Sequence, residues 1–271
     1  MTITLLKNVK KYKEIAKINF KNSFVYIWDS IYGTAFFIAI LIFIFSQLWT
    51  VIFKSNGTNL ISGFTIKMMV WYLVLTEAIV VSLGNIVTQI GIEIRSGDIS
   101  NYLNKPYHYV FYKYAQTIGK AIFTFLLVIL VGGLVAYLTV GGININWYII
   151  PFVFFIAFLA ITLNFMIIVN IGLLAFWIEE VRGISFIYNK FVFIVGGMLT
   201  PLEILPLWLA KIGLVLPLSY IAYHPAKLFV MFSFKYFFNI ILIQLAWITV
   251  FVMISLFVYS IVSKKVTING G

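Results

Sequence analysis

Polar side chains inside long apolar runs are the first candidates for chemistry, because a charge or amide in hydrocarbon is costly. Glu77 is the one acid in the run Met68–Ile92, and Asn85 and Gln89 extend polarity along the same run. Three such groups could line a path for a polar solute or face a dimer interface. They could equally hydrogen-bond to Thr76, Asn164 or Asn170 in a purely structural seam. His108 and His224 fall in predicted loops on opposite sides and cannot share a metal ion. Cysteine is absent, so thiol nucleophiles, cysteine metal sites and disulfides are excluded. No stretch matches G-x-x-x-x-G-K-S/T; Gly91 and Gly97 have the wrong spacing and no following lysine, so the chain does not bind ATP through a P-loop. Glu179-Glu180-Val181-Arg182 reads as an ion-pair cluster ending an apolar run.

The elements that hold these groups are membrane helices. The chain is 63% hydrophobic and 10% charged over 271 residues. Soluble domains carry about 25% charged residues, and disordered chains need low hydrophobicity. A span takes about 20 apolar residues, and six runs qualify. They cover 31–53, 68–92, 112–140 (uncharged from Ala121), 147–178, 183–200 with Lys190 inside it, and 236–263. The first begins about 30 residues in at full span length, so it reads as a retained helix, not a cleaved leader. The net charge of +11 is scattered between apolar runs, which argues for membrane topology and against nucleic acid. Fourteen of the nineteen basic residues fall on one side of this six-span layout, including Lys7, Lys10, Lys11, Lys13, Lys17 and Lys21. That side is predicted to be cytoplasmic and to hold both termini.

Three segments fall outside a plain six-helix bundle. In residues 5–22, Val9, Tyr12, Ala16 and Phe20 repeat beside Lys10, Lys13, Lys17 and Lys21. This predicts an amphipathic helix lying in the headgroup plane with its lysines on anionic lipid. Residues 93–106 form a polar stretch between Gly91 and Pro106. Asp98 is a candidate N-cap of a short helix that proline ends, and Ile99, Tyr102 and Leu103 share one face as an apolar knob for a partner's groove. Residues 201–225 hold Pro201, Pro206, Pro217 and Pro225, and the piece Leu207–Leu216 between them is too short to span. A re-entrant hairpin on the outer side fits, with Gly196 and Gly197 before it allowing a bend.

Four stretches carry a family resemblance. Ile94-Arg-Ser-Gly-Asp-Ile-Ser-Asn-Tyr-Leu-Asn-Lys-Pro106, Phe176-Trp-Ile-Glu-Glu, Gly197-Met-Leu-Thr-Pro-Leu-Glu-Ile-Leu-Pro206 and Leu216-Pro-Leu-Ser-Tyr-Ile-Ala-Tyr-His-Pro225 occur in this order. The chain resembles the permease subunits of type-2 ABC exporters, in a bacterial branch usually encoded beside an ATPase. The likeness covers nearly the whole chain. It implies an all-α membrane protein of one transmembrane domain over 1–271, in a bacterial plasma membrane. It implies a separate ABC ATPase, in two copies, that binds ATP and Mg, while this chain holds no cofactor. It implies a second permease protomer, the same or a related chain, facing this one around a translocation path. The short helix then becomes a coupling helix, with Arg95, Gly97, Asp98, Ile99, Asn101, Tyr102, Leu103, Lys105 and Pro106 on the ATPase. Gly197, Pro201, Leu202, Pro206, Pro217 and Pro225 would shape an outer gate. Asp98 and Lys105 depart from the residues relatives often carry there.

Apolar span faces suit an amphipathic lipid, drug or hydrophobic peptide as cargo. A self-sufficient channel or secondary transporter would call for inverted repeats or several intramembrane ionisable groups, and Glu77 stands nearly alone. A non-transporting immunity or sensor protein on the same fold is the third reading.

Overall fold

The computed structural model describes residues 2–103, 105, 107–178 and 180–269, with side chains described within 9–102, 105, 107–178 and 180–261. The described chain is all-α. Five of its helical segments are long and apolar enough to cross a membrane: Ile27–Asn56, Ile66–Arg95, Tyr109–Val140, Trp147–Phe176 and Phe234–Ile261. The chain is therefore a multi-pass membrane protein, with five such segments where six are predicted.

The predicted run that is not among them is 183–200, which still leads from the basic end of the bundle to the opposite one. There the chain forms α9, Arg182–Ile194, of 13 residues (labels here and below number the α-helices in chain order). At 1.5 Å per residue that is about 20 Å, short of a hydrocarbon core of about 30 Å. The helix stops because Gly196 and Gly197 follow it, and Gly197 takes φ +70°. Hydropathy averages over that stop, since the residues on both sides are apolar.

The N-terminal helix α1, Thr2–Val25, runs on through a turn at Tyr26 into α2, Ile27–Ser30, a π-helical turn, Ile31–Ala35, and α3, Phe36–Asn56. α3 ends where Gly57 adopts left-handed geometry. The second span is broken. α4, Ile66–Val81, starts on a Thr65 cap whose Oγ1 accepts from Met68 N at 3.3 Å. It unwinds over Ser82–Asn85, with Gly84 at φ +60°, and resumes as α5, Ile86–Arg95. The four-residue α6, Ser100–Leu103, leads to α7, Tyr109–Val140. α8, Ile150–Leu173, carries Pro151 in its first turn, where the missing N–H costs nothing. It is the axis of the fold, buried between α4, α5, α7 and α12, Phe234–Asn269.

Over 201–225, where a hairpin is predicted, the chain forms α10, Leu207–Val215, a turn from Pro217, and the start of α11, Tyr223–Val230, which packs on α4 and α8. Pro225 does not close this unit; it sits within the first turn of α11.

The stripe Tyr12, Ala16 and Phe20 is half-buried against protein. It packs along α7, with Tyr12 against Phe111 and Phe20 against Phe123. Val9 is left 64% exposed, and Lys10, Lys13, Lys17 and Lys21 point outward. The contact forms because Gly119 presents bare backbone to Ala16.

Candidate functional site

At the end of the bundle that carries the N-terminal lysines, the predicted coupling segment is anchored from inside. Ile99 is buried, and Tyr102 stacks edge-on to Tyr109 at 5.5 Å and lies 5.3 Å from Tyr112. The apolar knob therefore faces the protein. The outward residues are Arg95, Ser96, Gly97, Asp98, Ser100, Asn101 and Lys105, a polar surface. Gly97 takes φ +78°, which lets the chain turn out of α5. Asp98 accepts from Ser96 Oγ at 2.6 Å, and Asn101 N bonds Asp98 O at 3.0 Å. Lys105 Nζ sits 5.2 Å from the Tyr102 ring centre, a cation–π contact. Pro106 and the Leu103 side chain lie outside the described residues.

Beneath this surface is a cluster the sequence reading missed. Lys113 is 3% exposed and pairs with Glu93, and Tyr109 donates to Glu93 Oε2 at 2.9 Å. Lys113 also donates to Gln116 at 3.2 Å. Burial, and then the Glu93 carboxylate, push the Tyr102 hydroxyl up to about 12, so it stays protonated at any physiological pH. Oppositely charged residues at the facing ends of two successive spans were the available signal. At the surface, Glu180 accepts from Arg182 Nε at 3.0 Å and lies 3.7 Å from Arg95, tying α5 to α9. The Arg182 hydrogen bonds hold the Glu180 carboxyl below the usual range. This is the ion-pair cluster expected after the fourth span; Glu179 lies outside the described residues.

At the opposite end, α4 grips the start of the proline-rich segment. Tyr72 OH donates to the Gly197 carbonyl, and Thr76 Oγ1 donates to the Met198 carbonyl at 2.7 Å. Leu202 is buried against Gly197 and Gly213, so any side chain at either glycine would displace it. Pro201 precedes the single turn Leu202–Ile204, Pro206 precedes α10, and Pro217 opens the turn after it. Glu203 pairs with Lys227 and accepts from Tyr223 OH at 2.5 Å. Of the predicted gate residues, these contacts bring Gly197 and Leu202 together at one buried junction, whereas Pro206 is exposed at the start of α10.

His224 stacks on Tyr220 at 4.1 Å and bonds Tyr236 OH through Nδ1 at 2.6 Å. Burial, and then the Lys227 charge, push its imidazole down to about 3. The folded state thus keeps it neutral, whereas the unfolded chain protonates below about 6.5. Stability present above pH 6.5 should fall as pH drops from there toward 3, by at most about 1.4 kcal/mol per pH unit. Thermal unfolding at pH 7.5 and 5 should show a larger acid loss for the wild type than for His224→Gln. Equal losses would show that His224 does not set the slope.

In the interior, Glu77 is 1% exposed and its Oε1 has no hydrogen-bond partner among the described residues. None of the three partners expected from the sequence is seen bonding it among the described residues. Thr76 serves Met198, Asn164 accepts from Tyr188 OH at 2.6 Å, and Asn170 donates to Ser255 at 2.9 Å. Asn85 and Gln89 do not join Glu77. Asn85 lies in the α4–α5 break and Gln89 beyond it, both exposed, on an open cleft that Glu77 does not line.

No curated protein matches the chain. A family model described as ABC-2 family transporter protein matches residues 36–270. The match begins at the first residue of α3 and takes in every predicted coupling and gate residue and the buried groups of α4 and α5. With five membrane-crossing helices and a match of this extent, the chain belongs to the ABC-2 transporter family, as its membrane component.

Proposed function

We propose that the chain is the permease of an ATP-driven exporter, working as a dimer on a separate ATPase that binds ATP and Mg. The observation that carries this is the polar face made by Arg95, Ser96, Gly97, Asp98, Ser100, Asn101 and Lys105, seated on the bundle by Ile99 and Tyr102. A rigid, outward polar surface suits docking by hydrogen bonds and charge, where sequence reading expected an apolar plug. Family membership supports the partner, since such permeases generally work with an ATPase subunit and dimerise.

In this reading the basic end is cytoplasmic, as the lysine distribution argues. ATPase closure presses on Asp98 and Asn101. The Glu93–Lys113 pair and the Tyr102–Tyr109 contact pass the displacement to α5 and α7 together. The break at Ser82–Asn85 separates α5 from α4, whose Tyr72 and Thr76 hold the Gly197–Met198 junction. Movement of α4 would then tilt the re-entrant α10–α11 unit and open the outer side. The cargo is an amphiphile.

The test is co-purification. Asp98→Lys with Asn101→Ala changes only exposed groups and should abolish recovery of the ATPase while leaving the melting temperature unchanged. Tyr102→Ala should instead lower the melting temperature, because it removes packing. Undiminished ATPase recovery with the surface variant would sink the docking assignment. Activity in liposomes without any ATPase would overturn the exporter reading altogether.

A further inference from the structure

An open cleft of about 600 Å³ lies at the basic end, walled by α1, the Tyr26–Ala35 elbow, the α4–α5 break and the first half of α7. That is within the range of small-molecule sites. Its lining is unusual for a chain that is 63% hydrophobic: Asn22, Thr34, Asn85, Gln89 and Thr117 all face it. None of these five side chains has a hydrogen-bond partner among the described residues. Among the described residues that line it, Asp29 and Lys120 are the only acid and base, so that lining carries no net formal charge although the chain carries +11.

Two backbone features converge on the same place. The unwound Ser82–Asn85 segment forms one wall, and non-helical backbone at membrane depth is tolerated only inside protein or along a wet cavity. The π-helical turn Ile31–Ala35 supplies Thr34; such turns cluster at functional sites. The elbow is two-sided. Tyr26, Asp29, Ser30 and Thr34 line the cleft, while Trp28, Tyr32 and Phe36 are 66%, 74% and 64% exposed. Aromatic residues in that position suit the lipid interface.

We infer that this cleft binds the polar headgroup of an amphiphile, a headgroup rich in hydrogen-bonding groups and without net charge, whose tails lie along the aromatic face of the elbow. The inference rests on the export reading and names the class of its cargo. Free amides and hydroxyls match a multiply hydroxylated or zwitterionic group. An anionic headgroup would find no excess of cations here, despite the lysines elsewhere at this end.

The test uses the purified, delipidated chain alone, with native mass spectrometry to measure binding of three lipids of identical acyl chains. A diglucosyl diacylglycerol and a phosphatidylethanolamine share the required chemistry; a phosphatidylglycerol lacks it. At least one of the first two should bind about tenfold or more tightly than phosphatidylglycerol, and Gln89→Leu with Thr117→Val should erase that preference. Asp29→Asn with Lys120→Met separates the sources, weakening a zwitterion and sparing a sugar. Equal binding of all three lipids to the wild type overturns the proposal, whether or not the variants fold. So does an unchanged preference in folded Gln89→Leu/Thr117→Val. Disulfide-linked dimers of Asn85→Cys in this cysteine-free chain would also overturn it, by making the cleft an interface between copies. Lipid binding needs no ATPase, so failure here leaves the docking test standing, and failure there leaves this one.

Discussion

Lys113→Met should be among the most destabilising single changes in the molecule, at about 3–5 kcal/mol. The ammonium is buried, with a side chain 4% exposed, and Glu93 opposite it is 19% exposed. Methionine fills the space of the lysine stem but leaves the Glu93 carboxylate with the Tyr109 hydroxyl as its remaining partner. An uncompensated charge at a low-dielectric site is the costly outcome, more so than loss of the attraction itself. Glu93→Leu added to Lys113→Met should therefore recover most of the loss, because the desolvation cost of both charges disappears together. Glu180→Gln, at the exposed Arg182 pair, should change stability little. Unfolding titrations in mixed micelles on all three variants check the ordering. A Lys113→Met protein as stable as Glu180→Gln would show that the pair carries no such cost. Because Glu93 and Lys113 join α5 to α7 directly under the proposed docking segment, the same variant should also weaken transport coupling if that proposal holds.

The spans were legible because burial in lipid imposes one rule on every residue, and a run of apolar side chains satisfies it. The exception, 183–200, shows where that rule stops. Its apolar residues are real: Phe186, Ile187, Phe191 and Ile194 are all at least 50% exposed. Its helix ends early because Gly196 and Gly197 permit a turn, and because Tyr72 and Thr76 wait there to take the freed carbonyls. Those partners lie 125 and 122 positions away in sequence, so local pattern could not reveal them. The break at Ser82–Asn85 was hidden for a similar reason. Ser82, Gly84 and Asn85 are turn formers, but a hydropathy window across them stays apolar. Amphipathic faces had a different limit. Periodicity correctly grouped Tyr12 with Ala16 and Phe20, and Ile99 with Tyr102. It could not say what covers them, since another helix and a lipid tail are equally apolar. In both places the cover was protein, and the polar face became the accessible one.

Gly119→Leu should detach the N-terminal helix. A Cβ at position 119 would stand 2.1 Å from the Ala16 carbonyl oxygen, 2.9 Å from its carbon and 3.1 Å from Cα. All three are backbone atoms, so no rotamer change relieves the clash, and α1 must move as a body. Overpacking ordinarily costs about 1–3 kcal/mol through side-chain adjustment; here the whole α1–α7 contact is at stake. Loss of the contact releases the Tyr12 hydroxyl from His108 N, at 3.0 Å, and the Phe24–Phe123 pair, at 4.9 Å. Gly33→Ala is the matched control, because nothing lies within 4 Å of a Cβ there. Ser23, on the face of α1 that walls the cleft beside α7, is 8% exposed, and the chain has no cysteine of its own. In a Ser23→Cys background, maleimide labelling should be slow with Gly119 or with Gly33→Ala, and about tenfold or more faster with Gly119→Leu. Unchanged protection in the leucine variant would mean that α1 is not held by this crossing. Because α1 also forms a wall of the polar cleft, lipid selectivity should be lost in the same variant, which would link α1 to the proposed headgroup site through a single glycine.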